Sequence, residues 1–243
     1  MLTRFRSLTV TIAALLLFAG MAHARVFSRW RGASNVRQTL ENLGGTVGYA
    51  TAIQLNGGAG NLTVFRFGAG LDDLIAQMKQ GLGIQDMTYA GGTLALGTLA
   101  SDDRMHRFVA ARLPDLNQTL VFHVDQSKAD YESSNKPPDK QPAMAVPPFP
   151  GSSPAFFVRD VGADMALAVS RTASTPEAVE AFYASSLTGD GWSRFLAPGK
   201  GRTAPGGALY FQRGAEICVI LVSPSSSSAE NRLAVLHKRL RMK

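Results

Sequence analysis

The sequence contains one cysteine among 243 residues, so no disulfide bond can form within the chain. Cys218 lies in the apolar run from Ile217 to Leu221, where we expect it to be a small buried side chain. Histidine is scarce as well, with four residues. The Gly-x-Ser-x-Gly, His-Glu-x-x-His and Cys-x-x-Cys motifs are missing. The usual signatures of serine hydrolases, zinc proteases and dithiol oxidoreductases are therefore absent.

Nucleotide-binding loops are also missing, although two glycine-rich stretches come close to them. Gly68-Ala69-Gly70 precedes a predicted helix, but Asp72 and Asp73 fall in its first turn, where carboxylates repel a phosphate. Gly199-Lys200-Gly201 lacks the preceding glycine and the following hydroxyl residue of a P-loop. We expect no nucleotide and no other bound cofactor.

The first 24 residues have the pattern of a cleavable secretory signal peptide. Arg4 and Arg6 supply positive charge, and the 14 residues from Leu8 to Met21 are mostly apolar. Ala22-His23-Ala24 fits the small-x-small cleavage rule, so cleavage between Ala24 and Arg25 predicts a periplasmic protein. As a helix the apolar stretch would span about 21 Å, less than the roughly 30 Å of a membrane core. An uncleaved N-terminal membrane anchor is the alternative.

The charge that is left after cleavage is mildly positive. Removing Arg4 and Arg6 from the 25 basic residues leaves 23 against 18 acidic ones, a net charge of +5. The excess lies at the two ends of the mature chain rather than in a pattern typical of nucleic-acid binding. The basic residues concerned are Arg25, Arg29, Arg31 and Arg37, together with Lys238, Arg239, Arg241 and Lys243. We expect no nucleic-acid partner.

A change of composition divides the mature chain into two halves. Between Gln126 and Pro154 the apolar periodicity gives way to polar residues, and six prolines lie between Pro137 and Pro150. The sequence predicts a first α+β module over residues 25–125, a proline-rich linker over 126–153 and a second module over 154–243.

Each half shows the same succession of predicted elements, two strands, a helix and three strands, which indicates an internal duplication. The helical faces contain Leu74 and Val179, 105 residues apart. The predicted fold class is α+β, with helices packed on one face of mainly antiparallel sheets. The strands are expected over 49–55, 61–67, 93–99, 105–111 and 118–124, and then over 155–159, 164–170, 192–196, 208–213 and 216–222.

Two further helices are predicted at the ends of the pair of modules. Val36, Leu40 and Leu43 indicate a helix before the first module, and helical spacing also places Ala229, Leu233, Leu236 and Leu240 in a C-terminal helix. The basic side chains at that C-terminal end would either complement the helix dipole or contact an anionic membrane surface. These side chains are Lys238, Arg239, Arg241 and Lys243.

The second half contains a recurring set of short motifs. Pro147-Pro148-Phe149-Pro150-Gly151 leads into a strand, Phe182-Tyr183 lies on the following helix, and the helix ends in Leu187-Thr188-Gly189-Asp190-Gly191-Trp192. Over roughly residues 147–222 this pattern resembles small exported bacterial domains of unassigned function, from which Phe149 departs where tyrosine is common. The resemblance implies a fold and no activity, and it transfers no functional residue.

The candidate site with metal-like chemistry lies on a predicted hairpin. If its turn is centred on Pro114-Asp115, His106 faces His123, whereas a longer loop pairs His106 with Asp125. Two imidazoles and a carboxylate, with Asp103 near by, could hold a metal. The other interpretation is a polar outer face of a half-buried hairpin, and we favour it because a third ligand is not assured. The expected metal site is therefore none.

Taken together, the sequence favours a non-enzymatic accessory or binding protein of the cell envelope that contacts another envelope or secretion-system component. The first alternative is a binder of a small amphiphilic ligand in a cavity between helix and sheet. A metal-dependent enzyme is the third hypothesis, since His106, His123 and Asp125 would be its candidate ligands.

Overall fold

The computed structural model describes residues 36–90, 93–113, 117–140, 143–195, 208–224 and 230–240. The predicted signal peptide with its cleavage site at Ala24 and Arg25, the Gly199-Lys200-Gly201 stretch, and Arg241 and Lys243 lie outside these ranges. The described residues form four α-helices and twelve β-strands, and the strand pairs are antiparallel. The predicted α+β class is confirmed at this level.

The chain divides into two compact units. Unit 1 comprises residues 1–53 and 57–136, and unit 2 comprises residues 54–56 and 137–243. Across the described ranges, we find no helix that is both long and apolar enough to span a membrane.

The described part of unit 1 contains three helices and six strands of an antiparallel sheet. Its strands lie in the order β3-β4-β5-β6-β2-β1. The elements are α1 (Val36–Asn42), β1 (Thr46–Leu55), β2 (Gly58–Phe67), α2 (Leu71–Leu82), β3 (Met87–Ala90), β4 (Leu94–Ser101), β5 (Arg104–Leu113), β6 (Gln118–Ser127) and α3 (Lys128–Ser134).

Helix α2 follows the apolar spacing of its sequence, as predicted. Asp72 and Asp73 in its first turn complement the helix dipole, and Gly83 ends the helix in the left-handed conformation, where its N–H donates to the Lys79 carbonyl. The buried face packs on a core that includes Phe65, Phe108 and Val121 of the sheet. That face consists of Leu71, Leu74, Ile75, Met78 and Leu82.

Helix α3 lies inside the segment predicted as a linker, so that prediction is wrong over its first nine residues. Gln126 is fully buried in β6, and Ser127 caps the helix that follows. The Ser127 hydroxyl accepts from the Asp130 N–H at 3.1 Å and donates to the Asp130 carboxylate at 2.6 Å. This reciprocal cap stabilises a helix in a stretch whose polar composition alone indicates a loop.

The described part of unit 2 contains one helix and six strands that pair in antiparallel fashion. Its strands lie in the order β7-β8-β12-β11-β10-β9. The elements are β7 (Ser153–Asp160), β8 (Met165–Thr172), α4 (Pro176–Gly189), β9 (Ser193–Phe195), β10 (Ala208–Arg213), β11 (Glu216–Pro224) and β12 (Asn231–Arg239). The core under α4 includes Tyr183, Trp192 and Cys218.

The last element of unit 2 is a strand, and the predicted C-terminal helix is wrong. Strand β12 pairs with β8 on one side and β11 on the other, and residues 233–237 are all buried. A strand buried on both faces has a continuous apolar run, which also satisfies helical spacing. Both explanations offered for Lys238 and Arg239, complementing a helix dipole and docking a basic helix on a membrane, assumed a helix that is not there.

Each unit has one strand more than the predicted succession. Four strands follow the helix, because β3 was missed in unit 1 and β12 was taken for a helix in unit 2. Strand β3 has four residues, too few for an alternation of apolar and polar side chains to stand out.

Candidate functional site

The candidate histidines lie side by side on the hairpin formed by β5 and β6. In the observed register, His106 pairs with Asp125 and Phe108 pairs with His123. This is the longer-loop alternative of the two that the sequence allows. Because side chains two residues apart on a strand share a face, the register brings His106, His123 and Asp125 together.

His106 and His123 form what we call the imidazole pair. His106 Nδ1 and His123 Nε2 lie 3.0 Å apart, and the rings stack with their centroids 5.2 Å apart. One nitrogen of this contact must carry the proton and the other must accept it. His123 also stacks on Phe108, with the centroids 5.1 Å apart and the planes 11° apart. The pair is thus part of the packed interior.

Asp125 and Arg104 complete the cluster at its outer edge. Arg104 Nε and Nη2 donate to the two carboxylate oxygens of Asp125, both at 2.8 Å. His106 Nδ1 lies 3.5 Å from Asp125 Oδ1. The bidentate ion pair fixes the carboxylate, and Arg104 partly offsets its charge at His106.

The imidazole pair is buried, so the predicted polar outer face is wrong. The two histidines are 7% and 4% exposed. Burial lowers the pKa of His106, and it lowers the pKa of His123 to about 3, with the neighbouring His106 adding to the effect. Both rings are therefore neutral at pH 7.

The geometry around the pair is poorly suited to a metal. Two imidazole nitrogens that bind one tetrahedral zinc stand about 3.3 Å apart, more than the observed separation. Asp125 is engaged by Arg104, whose positive charge would repel a cation. In the ranges that the structure describes, no three His, Cys, Asp or Glu side chains form a group able to hold a metal ion.

We expect metal chelation to leave the stability of the protein unchanged. A structural zinc contributes on the order of 10 kcal/mol of binding free energy, so its removal would lower the melting temperature sharply. The measurement is thermal unfolding with and without EDTA, alongside elemental analysis. Stoichiometric metal that disappears in His123→Ala would show that the imidazole pair is a metal site.

Unit 2 carries a second polar cluster, centred on the buried Glu216, which the sequence reasoning missed. Glu216 accepts from Arg213 Nε and Nη2 through Oε2 at 3.0 and 2.8 Å, and from Arg239 Nη2 through Oε1 at 3.0 Å. These arginines hold the pKa of Glu216 below its usual range. Two sequence features could have indicated this cluster: a glutamate at the start of one apolar strand, and a pair of basic residues at the end of the next strand.

Two nitrogen atoms beside this cluster are buried without a hydrogen-bond partner. They are Trp192 Nε1 and His237 Nε2, the second of which lies 3.8 Å from Glu216 Oε1. Arg213 stacks over the Trp192 ring at 4.7 Å from its centroid. The aromatic residues Tyr183 and Trp192 belong to the core under α4.

Arg107 is a third feature that the sequence reasoning missed. Its side chain is 4% exposed, and Nη2 donates to Ser134 Oγ at 2.7 Å and to Asn135 Oδ1 at 2.8 Å. Nη2 also donates to the Tyr131 carbonyl at 3.3 Å, and the guanidinium lies over the Tyr131 ring. The positive group thus sits at the carboxyl end of α3, where the helix dipole favours it. Its buried Nε has no partner.

Comparisons with known proteins give no family assignment. No protein-family model matches the chain, and no curated protein matches it. Among solved structures, that of MucB in complex with MucA(peri) is 9% identical to this chain in sequence, with a TM-score of 0.16. The match covers 84% of this chain and 93% of the other chain. A protein proposed to be a thioesterase, from Novosphingobium aromaticivorans, has 13% identity, coverages of 92% and 87%, and a TM-score of 0.14. Likenesses this weak carry no argument about function.

Proposed function

We propose that this chain is an exported, non-enzymatic binding protein of the bacterial cell envelope, which contacts another envelope or secretion-system component. The proposal of export starts from the N-terminal pattern of Arg4, Arg6, an apolar stretch and Ala22-His23-Ala24. The resemblance of residues 147–222 to small exported domains is consistent with it.

The observation that carries the binding role is the internal pairing of the reactive side chains. General acid–base catalysis needs a group that reaches the substrate. His106 and His123 instead contact each other, Asp125 is held by Arg104, and Glu216 is held by Arg213 and Arg239. Groups that are engaged in this way stabilise the fold of each unit and favour a protein that acts through its surface.

Both units have apolar side chains on that surface. Exposed hydrophobic residues indicate a protein interface when they form a contiguous patch, whereas single scattered ones are common on any protein surface. Each position therefore needs its own test. Among the described residues these side chains are Val47, Tyr49, Tyr89, Val161 and Leu240.

We also propose that the two units arose by duplication of one ancestral module. The described part of each contains the succession of two strands, a helix and four strands, and the six strands of each unit lie in the same relative order. β2 and β8 end 105 residues apart, and α2 and α4 begin 105 residues apart. The two-residue turns after Ser101 and Arg213 lie 112 residues apart, as do the ends of β6 and β12. The difference of seven residues is accounted for by the longer segment between α4 and β10.

The binding role is tested by site-specific photocrosslinking in intact cells. A photoreactive amino acid replaces Tyr89, Val161 or Leu240 in turn, since each is an exposed apolar or aromatic side chain. We expect a discrete protein adduct from at least one position. The matched control is Gln77, which is an exposed polar position on α2. Absence of adducts from every position, or a co-purified small amphiphile in their place, would contradict the proposal.

We expect the exported protein to begin at Arg25. Signal peptidase cleaves after the small residue of a small-x-small site, and Ala24 occupies that position. Intact mass measurement of protein released from the periplasm decides the matter. Met1 retained on protein that resists carbonate extraction of membranes would support the anchor alternative instead.

A further inference from the structure

The imidazole pair can keep its hydrogen bond only while one of its facing nitrogens lacks a proton. His106 Nδ1 and His123 Nε2 lie 3.0 Å apart, so the contact needs one donor and one acceptor. When both rings are cations, all four ring nitrogens carry protons, and no acceptor is left. Two positive rings would then stack in the interior with N–H groups facing each other.

The imidazole pair can accept one added proton without a change of geometry, but it cannot accept a second proton in this way. A proton on His106 leaves His123 Nε2 as acceptor and places the new charge 3.5 Å from the Asp125 carboxylate. The second proton must go to His123, which is 4% exposed and also stacks against the phenyl ring of Phe108. With both rings protonated, the single carboxylate of Asp125 would face three positive groups, since it is already paired with Arg104.

The surroundings of the pair offer no other compensating charge within the described residues. The charged groups that act on it are Asp125 of β6 and Arg104 of β5. From β4 the residue opposite His106 is Leu99, and from β2 the residue opposite His123 is Thr63. The buried face of α2, which packs on the same core as Phe108, is entirely apolar.

We propose that the imidazole pair is an acid-sensitive latch, in which protonation of both rings separates His106 from His123 and loosens α2 from the sheet of unit 1. Both imidazole rings neighbour Phe108, with centroids 6.5 Å away for His106 and 5.1 Å away for His123, so movement of either ring changes the packing of Phe108. Phe108 in turn packs with α2. This inference does not depend on a binding role and goes beyond it, because it concerns the response of the fold to pH.

The direction of the pH effect follows from linkage. Burial lowers the pKa of both histidines in the folded protein, so the opened state binds more protons. Stability is therefore complete above about pH 6.5 and falls as the pH drops below it. Between pH 7.5 and 5, the opening equilibrium rises by up to about 30-fold for one imidazole and about 900-fold for two.

The test is hydrogen exchange of the full mature chain, followed by mass spectrometry of the peptide that contains α2. We expect protection of residues 71–82 to fall steeply between pH 7.5 and 5 after correction for intrinsic exchange. In His123→Leu the fall should be about 30-fold or less, since one titrating ring is left. His106→Gln provides a second variant that removes the other ring. His237→Gln, a buried histidine of unit 2, is the matched control and should respond as the native chain does.

Cys218 reports on unit 2 in the same samples. It is the single cysteine and is fully buried, so reaction with 4,4′-dithiodipyridine, which works at acid pH, signals opening of the core under α4. We expect Cys218 to stay unreactive at the pH where α2 loses protection. Three results would each overturn the latch: unchanged protection of α2 at pH 5, an equal fall in both imidazole variants and the native chain, or simultaneous reaction of Cys218.

Discussion

Gly58→Ala is expected to destabilise the protein by about 2–3 kcal/mol, which corresponds to a melting temperature lower by about 4–12 °C. Gly58 opens β2 where α3 crosses it, and a methyl group there would overlap the carbonyl group of Asp130. The obstacle is backbone, so it cannot swing away as a flexible side chain would. The helix would have to move, which would disturb the 2.9 Å bond from the Ala59 N–H to the Asp130 carboxylate.

The matched control for this substitution is Gly68→Ala in the same unit. Gly68 is exposed, and a methyl group added there meets no atom within 4 Å. We expect a change of less than about 0.5 kcal/mol, or a slight gain from a stiffer unfolded chain. Thermal and urea unfolding of both variants are the measurements. Equal stability of the two would mean that α3 does not rest on Gly58.

Arg107→Ala is expected to lower the free energy of unfolding by about 3 kcal/mol. The guanidinium donates to three oxygen atoms, those of Tyr131, Ser134 and Asn135, and all three contacts lie at the carboxyl end of α3. Its removal leaves a cavity and withdraws the positive charge that balances the helix dipole. Burial lowers the pKa of Arg107 to about 10, which still keeps the group charged at pH 7.

Two comparison variants separate the charge of Arg107 from its geometry. Arg107→Lys keeps the positive charge, but one ammonium group cannot reproduce the planar fork, so we expect a loss intermediate between native and Arg107→Ala. Arg112→Ala removes an exposed arginine from the same strand and should change stability by less than about 0.5 kcal/mol. Urea unfolding measures all three. If Arg107→Lys were as stable as the native chain, the proposed role of the planar guanidinium group would be contradicted.

Several elements could be predicted because their determinants are local. Helix α4 begins at Pro176 after Thr175, residue types that favour the first turn and the N-cap of a helix, and the Thr175 hydroxyl accepts from the Ala178 N–H at 3.3 Å. Helix α2 was recognisable from apolar side chains at helical spacing. Cys218 is buried as its apolar neighbours indicate, and burial raises the pKa of its thiol to about 12.

The candidate site was predicted in its membership but not in its environment. His106, His123 and Asp125 do come together, since a hairpin places them on one face in either register. The sequence did not predict that Arg104 forms an ion pair with Asp125, the carboxylate that a metal would need as a ligand. Arg107 and Glu216 gave only weak signals, because a single charged residue in an apolar strand does not reveal its partner.

By itself, the sequence determined the α+β class, the helices α2 and α4 and most of the strands, because apolar spacing and caps act over a few neighbouring residues. The tertiary structure alone decided that Leu233–Leu236 forms a strand, that His106 faces Asp125, and that Arg107 and Glu216 are buried. Those outcomes depend on residues far away in the chain. A strand needs partners, a hairpin register depends on its loop, and a buried charge is stabilised only by groups that folding brings to it.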